Sequence, residues 1–413
     1  EGINHHPAEI YCAHNIDEIH VSANRKEMRK ILLTGATGYL GAHILKELLI
    51  TTDAQIYCLV RSSSREKAAH RLLNILSFYF PDNFSNELDR RIKVIKGDLA
   101  SDNFGLSEQQ YNSIGRQVDT VIHTAAKVRH YGGYADFETI NVLGTKRIVN
   151  FCLTFKQKLH YISTTSVSGR YLVKQDLGDA VFSENDFFIG QHYYENVYVR
   201  SKFEAENIIL SAMNDGLTAT IYRVGMLSGR YSDGHFQANI QDNGLYNRMK
   251  SVILLRAIPE DLLKQELEYT PVDYCSRAII LLAKINENKN KIFHIFNDKM
   301  ILVSQFIEAS KLCGFDIQIQ DAGSFNDYLK KIICDRENTW ALTGIINDLN
   351  LTKTIGLQHS PEIASEITCQ YLQQLGFKWP DIDLPYLIKV INYMESIGFL
   401  KKNFDTQEKD ILA

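Results

Sequence analysis

The sequence has no long apolar run, no closely spaced cysteine pair and no excess of basic residues. No stretch of its 413 residues approaches the roughly 18 consecutive apolar residues needed to span a bilayer, and its opening, EGINHH, is not a secretory signal. Its 45 lysines and arginines stand against 49 acidic residues, so we expect no affinity for nucleic acid. Since no apolar stretch could span a bilayer, we also expect no membrane partner. With 45% apolar and 23% charged residues, the composition is that of a globular protein.

The seven cysteines are scattered singly, and the sequence contains no Cys-x-x-Cys pair. This excludes a zinc ribbon and a thioredoxin-type site, and single cysteines suit a reducing compartment, so we expect a cytoplasmic protein. Cys12 lies among histidines at positions 5, 6, 14 and 20, but their spacing matches no closed ligand set. The sequence therefore predicts no metal site, and we interpret residues 1–27 as a polar lead-in or linker.

Short apolar segments alternate with helical stretches from residue 30 onwards. Six of them have the length and composition of buried strands: 30–34, 55–60, 92–95, 120–123, 159–163 and 218–222. Apolar strands separated by helices indicate an α/β fold with a doubly wound, parallel, Rossmann-like sheet. We expect this domain to comprise residues 28–225 and 269–297. Residues 226–268 and 298–413 would form a smaller, mostly helical substrate-binding part.

The strongest local motif is the segment 34–41, TGATGYLG, which follows the first strand and opens a helix. Gly35, Gly38 and Gly41 would permit a tight turn and a close approach of the backbone to a pyrophosphate. The helix N-terminus would supply free N–H groups for the phosphates. No Gly-Lys-Ser/Thr follows, which excludes a nucleotide-triphosphatase loop. The segment therefore predicts a dinucleotide site.

Arg61 lies at the end of the second predicted strand, 20 residues beyond Gly41. NAD-type sites place Asp or Glu there to hold the ribose 2′-hydroxyl, whereas a guanidinium suits a 2′-phosphate. Arg71, ten residues further on, would either close over the same group or lie solvated on a helix. The sequence thus favours NADPH.

Further candidates follow the third and fourth predicted strands, whose ends meet the ligand crevice of an open α/β sheet. The carboxylate of Asp98 could accept a hydrogen bond from the adenine amino group. The small side chains of Ala125 and Ala126 would let the cofactor lie flat against the backbone. Each of these motifs alone is weak.

The catalytic candidates are Tyr198 and Lys202, whose spacing places them on one helical face. A free tyrosine, with a pKa near ~10, is a poor acid at neutral pH, and we expect the ammonium of Lys202 to lower that pKa. Lys202 could also hold the nicotinamide ribose. The third member should be a hydroxyl at the end of the fifth strand, Thr164 or alternatively Thr165. Asn141 could complete a proton relay.

Together these motifs are typical of the extended short-chain dehydrogenase superfamily. From about residue 30 to about residue 400, the chain resembles the terminal thioester reductase domain of nonribosomal peptide synthetases, which carboxylic acid and aminoadipate reductases share. The resemblance is carried by residues 58–61 (CLVR), 68–72 (AAHRL), 123–134 (HTAAKVRHYGGY), 141–145 (NVLGT), 189–202 (IGQHYYENVYVRSK), 270–274 (TPVDY) and 376–380 (GFKWP). Thr124 departs from the pattern, because relatives often carry Asn there.

Carried over residue by residue, the resemblance implies a catalytic triad of Thr164, Tyr198 and Lys202. It also implies NADPH as the cofactor, surrounded by residues of the glycine segment and the strand ends: Gly35, Thr37, Gly38, Tyr39, Leu40, Arg61, Arg71, Asp98, Leu99 and Lys202. Gly41, Ala125, Ala126 and Tyr198 complete the predicted cofactor site.

The resemblance further implies a reaction and a partner. The domain would reduce an acyl or peptidyl thioester on the phosphopantetheine arm of a carrier protein to an aldehyde, and a second round would give an alcohol. No Gly-Gly-x-Ser carrier motif is present, so the carrier would come from elsewhere, tethered through residues 1–27, and we expect a monomeric domain. The alternatives are a nucleotide-sugar epimerase or dehydratase, a fatty acyl-CoA reductase and a redox-inactive NADPH-binding regulator.

Overall fold

The computed structural model describes residues 27–88, 90–128, 132–169, 180–285, 290–334 and 361–401. The predicted lead-in, apart from its last residue, and positions 129–131 of the 123–134 motif lie outside the described residues.

The strands are β1 (Lys30–Thr34), β2 (Gln55–Val60), β3 (Ile92–Lys96), β4 (Thr120–His123), β5 (Lys158–Thr164), β6 (Val181–Phe182), β7 (Ala219–Val224), β8 (Leu227–Ser228), β9 (Ala257–Pro259), β10 (Glu266–Leu267), β11 (Thr270–Pro271), β12 (Lys291–Ile295), β13 (Ile301–Leu302), β14 (Gln318–Gln320) and β15 (Glu362–Ile363).

Helices make up most of the remaining described residues. They are α1 (Tyr39–Thr51), α2 (Arg65–Tyr79), α3 (Glu108–Gln117), α4 (Tyr134–Phe137), α5 (Leu143–Phe155), α6 (Val197–Asn214), α7 (Gly244–Leu255), α8 (Val272–Ala283), α9 (Val303–Leu312), α10 (Ala322–Cys334), α11 (Glu366–Gln374) and α12 (Leu384–Ser396). Within the described ranges, each helix is too short or too polar to cross a bilayer.

Seven of the described strands form one parallel sheet in the order β12-β7-β5-β4-β1-β2-β3. The order reverses between β1 and β4, where Thr34 is paired with His123. Such a switch point opens a crevice at the carboxyl ends of the strands. The predicted doubly wound α/β fold is therefore confirmed.

The sheet differs from the prediction by its seventh strand, β12. Its five-residue sequence, KIFHI, was not among the predicted strands. His294 is nevertheless fully buried, and its Nδ1 lies 2.6 Å from the carbonyl oxygen of Ala364. The imidazole thus fits a buried strand because a backbone acceptor satisfies it.

The core of the sheet lies between the strands and the helices that follow them. Leu32, Val121 and Leu159 on β1, β4 and β5 are buried in one cluster, together with Ile148 of α5 and Ile209 of α6. These strand residues come from near-continuous apolar runs, as expected when a parallel sheet is covered on both faces. Burial of the strand interiors leaves polar side chains at the strand ends.

The chain divides into two compact units. Of the described residues, the first unit comprises those within 27–225, 275–296 and 361–378, and the second comprises those within 226–274, 297–334 and 379–401. In this division residues 361–378 group with the sheet, whereas the boundary predicted from the sequence lay at residue 298. In the first unit, β15 pairs with β6, and the buried carboxylate of Glu184 accepts hydrogen bonds from the backbone N–H and the hydroxyl of Thr368. Residues 269–274, expected with the sheet, belong to the second unit.

The described part of the second unit combines helices α7, α9, α10 and α12 with short two-stranded ladders. α12 packs against α9, and β9 pairs with β14. The loop before α7 closely approaches α12 at Gly234. A Cβ built on this residue would lie 2.6 Å from the carbonyl carbon of Lys389, and its φ is +74°.

Gly234→Ala should destabilise the second unit by about 2–5 kcal/mol, because it adds a backbone clash to the cost of a left-handed conformation. The matched control is Gly398→Ala, since Gly398 has a φ of +72° but no atom within 4 Å of its built Cβ. The control should cost only about 1–2 kcal/mol. Urea unfolding of both variants measures the difference, and equal midpoints would show that the close approach is unimportant.

Candidate active site at the carboxyl ends of the strands

The glycine segment forms a turn between β1 and α1 that tolerates little besides glycine. Gly38 N–H donates to the Gly35 carbonyl oxygen at 2.8 Å. Gly35 has a φ of +77°, and a Cβ there would lie 2.3 Å from Oγ1 of Thr124. A Cβ on Gly41 would lie 2.0 Å from the Gly35 carbonyl oxygen.

The N-terminus of α1 is the second part of this cradle. The helix begins at Tyr39, and its N-cap residue, Gly38, provides no side chain to cap the first turn. Its first N–H groups therefore suit an anionic group. These features fit the pyrophosphate of a dinucleotide.

Polar residues at the carboxyl ends of β1 and β4 hold the turn by hydrogen bonds. The hydroxyl of Thr124 donates to the Thr34 carbonyl oxygen at 2.7 Å, so the threonine that departs from the family pattern still holds the local structure. His123 Nδ1 lies 2.7 Å from Thr34 Oγ1, and its Nε2 lies 3.2 Å from Thr145 Oγ1. Burial, assisted by the charge of Lys202, lowers the His123 pKa to about 3, so this imidazole is neutral.

Ala125 and Ala126 lie half-buried in the loop that leaves β4. Asn141 holds Lys127, the residue that follows Ala126. Its Oδ1 accepts from the N–H of Lys127 at 2.7 Å, and its Nδ2 donates to the Lys127 carbonyl oxygen at 3.0 Å. Nδ2 also donates to Oγ of Ser201 at 2.8 Å. Asn141 lies in a π-helical turn, a distortion frequent at functional sites. It therefore ties the β4 loop to α6.

The two arginines expected at a 2′-phosphate are adjacent. Arg61 is exposed directly after β2, and Arg71 of α2 donates from Nη1 to the Arg61 carbonyl oxygen at 2.8 Å. Asp98 follows β3 and is half-buried, with its Oδ1 accepting from the N–H of Ala100. The side chain of Leu99 is buried in the core of the sheet unit.

Thr164 and Tyr198 are brought together at the end of β5. Tyr198 lies in the first turn of α6, two residues after the N-cap Asn196, whose Oδ1 accepts from the Tyr198 N–H at 2.9 Å. The side chains of Tyr198 and Thr164 are hydrogen-bonded. Thr164 Oγ1 also accepts from the N–H of Ser166 at 3.2 Å, which fixes its rotamer. This contact favours Thr164 over the neighbouring Thr165, which lies in the following 3₁₀ turn.

Lys202 lies one helical turn further along α6 and is buried. Its Nζ donates to the Ile162 carbonyl oxygen at 2.7 Å and to the Tyr161 hydroxyl at 3.3 Å. Burial lowers the pKa of Lys202 to about 7, although the negative charge of Glu206 acts to raise that pKa.

The expected lowering of the Tyr198 pKa is not observed. Burial raises that pKa to about 12, and the hydrogen bond with Thr164 acts in the opposite direction. The physical reason is that desolvation of the phenolate outweighs the hydrogen bond, while the Lys202 ammonium donates to β5. In this structure Tyr198 is therefore a protonated donor.

A group of three interacting side chains, Tyr134, Arg200 and Glu204, was not predicted from the sequence. The carboxylate of Glu204 accepts hydrogen bonds from the Tyr134 hydroxyl and, at 2.9 Å, from Arg200 Nε. The Arg200 guanidinium lies 3.7 Å from the centre of the Tyr134 ring. The i,i+4 spacing of Arg200 and Glu204 was visible, but the tyrosine partner, 66 residues before Arg200, was not.

No group of three or more His, Cys, Asp or Glu side chains is arranged to hold a metal ion among the residues with described positions.

Comparison with known families gives the context for this geometry. The NAD-binding family described as male sterility protein matches residues 33–279, more than half of the chain. The chain belongs to this family. It is accordingly an oxidoreductase that uses a nicotinamide dinucleotide, and the glycine cradle and the N-terminus of α1 fit that cofactor.

The relatives carry the resemblance seen in the sequence. A linear gramicidin synthase protein of Brevibacillus parabrevis is 28% identical over 92% of this chain, and the large subunit of L-2-aminoadipate reductase of Eremothecium gossypii is 31% identical over 90%. The chain spans only 7% and 28% of these relatives' lengths. A thiolation-reductase di-domain from an archaeal nonribosomal peptide synthetase has a TM-score of 0.81 at 29% identity, over 92% of this chain and 77% of that one. The predicted kinship with reductase domains is confirmed.

The epimerase alternative has weaker support. UDP-glucuronic acid 4-epimerase from Bacillus cereus matches 89% of this chain and 99% of that one, with a TM-score of 0.58, at 18% identity. At that distance the likeness shows a common fold alone.

Proposed function

We propose that this protein releases an acyl or peptidyl chain from the phosphopantetheine arm of a carrier protein by NADPH-dependent reduction of its thioester. The product is an aldehyde, and a second round gives an alcohol. The observation that carries the proposal is the hydrogen-bonded pair of Thr164 and Tyr198 at the end of β5, one helical turn from Lys202. The similarity to reductase domains of peptide synthetases supports the choice of substrate.

The chemistry assigned to the side chains follows from their protonation. The chemistry that NADPH would contribute when bound is a hydride for the thioester carbonyl carbon. The hydroxyls of Thr164 and Tyr198 donate hydrogen bonds to the carbonyl oxygen as negative charge develops on it, and Tyr198 delivers the proton. Its raised pKa suits a donor that must hold its proton until the oxyanion forms. The thiohemiacetal then loses the carrier thiol and leaves the aldehyde.

The proposed cofactor site consists of the glycine turn, the strand ends and the catalytic helix. The residues are Gly35, Thr37, Gly38, Tyr39, Leu40, Gly41, Arg61, Arg71, Asp98, Leu99, Ala125, Ala126, Tyr198 and Lys202. The pyrophosphate would bind at the N-terminus of α1, and Lys202 would hold the nicotinamide ribose. The five described free cysteines accord with the reducing cytoplasmic compartment that we propose.

The proposed partner is an acyl-loaded carrier protein. In the second unit, the segments 245–267 and 303–325 surround an apolar cavity, whose walls include Met249, Val252, Leu262, Phe306 and Phe325. Such walls suit an alkyl or aromatic part of an acyl chain. We propose that this unit contributes binding energy remote from the reacting carbonyl.

Arg61→Ala should raise the KM for NADPH roughly tenfold to a hundredfold and leave that for NADH nearly unchanged, because a hydrogen bond to a charged group contributes about 1.5–3 kcal/mol. Arg116→Ala on α3, which removes another exposed arginine, is the control and should affect neither cofactor. Steady-state kinetics with both cofactors measures the effect. Equal losses for NADPH and NADH would rule out a 2′-phosphate contact.

Tyr198→Phe should keep the fold and the NADPH affinity but reduce kcat by about 10²–10⁴, the usual range for a positioned acid. Lys202→Ala should weaken both catalysis and NADPH binding, Thr164→Val should have an intermediate effect on kcat, and Thr165→Val a mild one. Single-turnover aldehyde formation measures these rates. The matched control is Tyr57→Phe, which removes a hydroxyl whose oxygen lies 2.8 Å from Oε1 of Gln55 and 2.9 Å from Oε1 of Gln117.

Near-normal aldehyde formation by Tyr198→Phe would contradict the mechanism. If Thr165→Val were the crippling change, the mechanism would stand and only the assignment of the hydroxyl would be wrong.

A thioester on its carrier should be reduced with a far higher kcat/KM than the same acyl group on a short free thiol, because remote contacts orient the carbonyl. NADPH oxidation measured with carrier-bound thioesters, acyl-CoA and nucleotide sugars makes the comparison. Matching kcat/KM values for carrier and free thiol would refute delivery by a carrier. Turnover of nucleotide sugars instead would favour the epimerase alternative.

A further inference from the structure

Glu206 is a fully buried carboxylate of α6 that lies outside the proposed catalytic and cofactor-binding set. It follows Lys202 by four residues and therefore lies on the same helical face. Its Oε1 accepts a hydrogen bond from the Ser163 hydroxyl at 2.5 Å. Its Oε2 accepts from Nη2 of Arg223 at 2.8 Å, and the Nε of Arg223 lies 3.1 Å from the same oxygen. A buried charge requires such partners, since leaving one unpaired is costly.

Arg223 on β7 is itself held on several sides. Its side chain is fully buried, and Nη1 donates to the Asp186 carbonyl oxygen at 2.8 Å. The same nitrogen lies 3.2 Å from Nε2 of His294, and the guanidinium lies 4.7 Å from the centre of the Phe182 ring. Since each side of the guanidinium is occupied, the carboxylate of Glu206 has a fixed position.

This carboxylate acts on two neighbours of the reaction centre. Ser163, which it binds, directly precedes Thr164 on β5, so the bond fixes the strand end that presents the proposed catalytic hydroxyl. The second neighbour is Lys202, whose Nζ binds β5 one residue earlier, at the Ile162 carbonyl oxygen. Glu206 and Lys202 therefore bind neighbouring residues of the same strand end, next to the proposed catalytic hydroxyl.

The ionisable groups that face Lys202 come from three elements. Glu206 of α6, Tyr161 of β5 and His123 of β4 interact with Lys202 itself, and Tyr198 of α6 interacts with Tyr161. Burial keeps His123 neutral and raises the pKa of both tyrosines, so the carboxylate of Glu206 is the negative charge of this group. Its attraction opposes the desolvation that drives Lys202 to release its proton near pH 7.

We propose that Glu206 is a positioning residue of the active site, which fixes Ser163 and thereby Thr164, and which keeps the ammonium of Lys202 charged for cofactor binding. This inference rests on the proposed function in so far as Lys202 holds the cofactor. Arg223 contributes to the active site indirectly, because it holds the carboxylate of Glu206 in place.

The test is the pH dependence of NADPH affinity, measured by nucleotide fluorescence on the full chain. In the unaltered protein, affinity should fall as the pH rises through about 7, where Lys202 loses its proton. In Glu206→Gln, the loss of the carboxylate destabilises the ammonium, so the midpoint should move to lower pH by about one unit or more. The same cofactor is used throughout, so its own ionisation cancels from the comparison.

Catalysis provides the second readout. Glu206→Gln should reduce kcat roughly tenfold to a hundredfold, because Thr164 loses its fixed position. The matched control is Glu184→Gln, which alters another buried carboxylate of the same unit, one bound to Thr368. Glu184→Gln should leave the NADPH midpoint where it is in the unaltered protein, even if it lowers the melting temperature.

A second variant covers the case in which Glu206→Gln fails to fold because Arg223 is left unpaired. The double variant Glu206→Gln, Arg223→Met removes both buried charges, and its midpoint should shift in the same direction by a smaller amount. Unchanged midpoints in whichever of these variants fold would overturn the proposal and leave Glu206 a merely structural residue. A shifted midpoint in a protein that reduces no thioester would instead refute the proposed function and leave this inference standing.

Discussion

The contact between α6 and the carboxyl half of β5 is the interaction on which the candidate site depends. Residues 198, 202 and 206 occupy successive turns of one helical face, and each bonds to β5: Tyr198 to Thr164, Lys202 to the Ile162 carbonyl oxygen and Glu206 to Ser163. All three side chains bring polar groups into a region of low water content, where an unpaired group would be costly. The helix can therefore pack on this strand in one register, and that register places the tyrosine beside the threonine.

The cofactor cradle is set by a different constraint, which is steric. The turn after β1 approaches the turn after β4 so closely that a Cβ on Gly35 would meet Thr124, and a Cβ on Gly41 would meet Gly35 itself. Glycine at these positions lets α1 begin directly against the switch point of the sheet. The hydroxyl of Thr124 and the neutral imidazole of His123 bind Thr34 and hold the two strand ends together.

Burial also determines the electrostatics of the site. Desolvation disfavours the charged form of each buried group, so it raises the pKa of Tyr198 and lowers the pKa of Lys202. The charges of Glu206 and Arg223 persist in the interior because they pair with each other at 2.8 Å. Glu206 also bonds to Ser163 of β5, and Arg223 lies beside His294 of β12. A fully buried ion pair held in this way is better suited to fixing geometry than to adding stability.

The sequence by itself determined the elements whose signal is local. Apolar runs located six of the seven strands of the sheet, the glycine spacing located the turn, and the helical period placed Tyr198 and Lys202 on one face. The partners of these residues depended on the tertiary structure. The acceptor of Lys202, the arginine that pairs with Glu206 and the grouping of residues 361–378 with the sheet unit were not evident from the sequence. The physical reason is that hydrogen bonds and desolvation act between atoms brought together by folding, whereas periodicity and spacing record only neighbours along the chain.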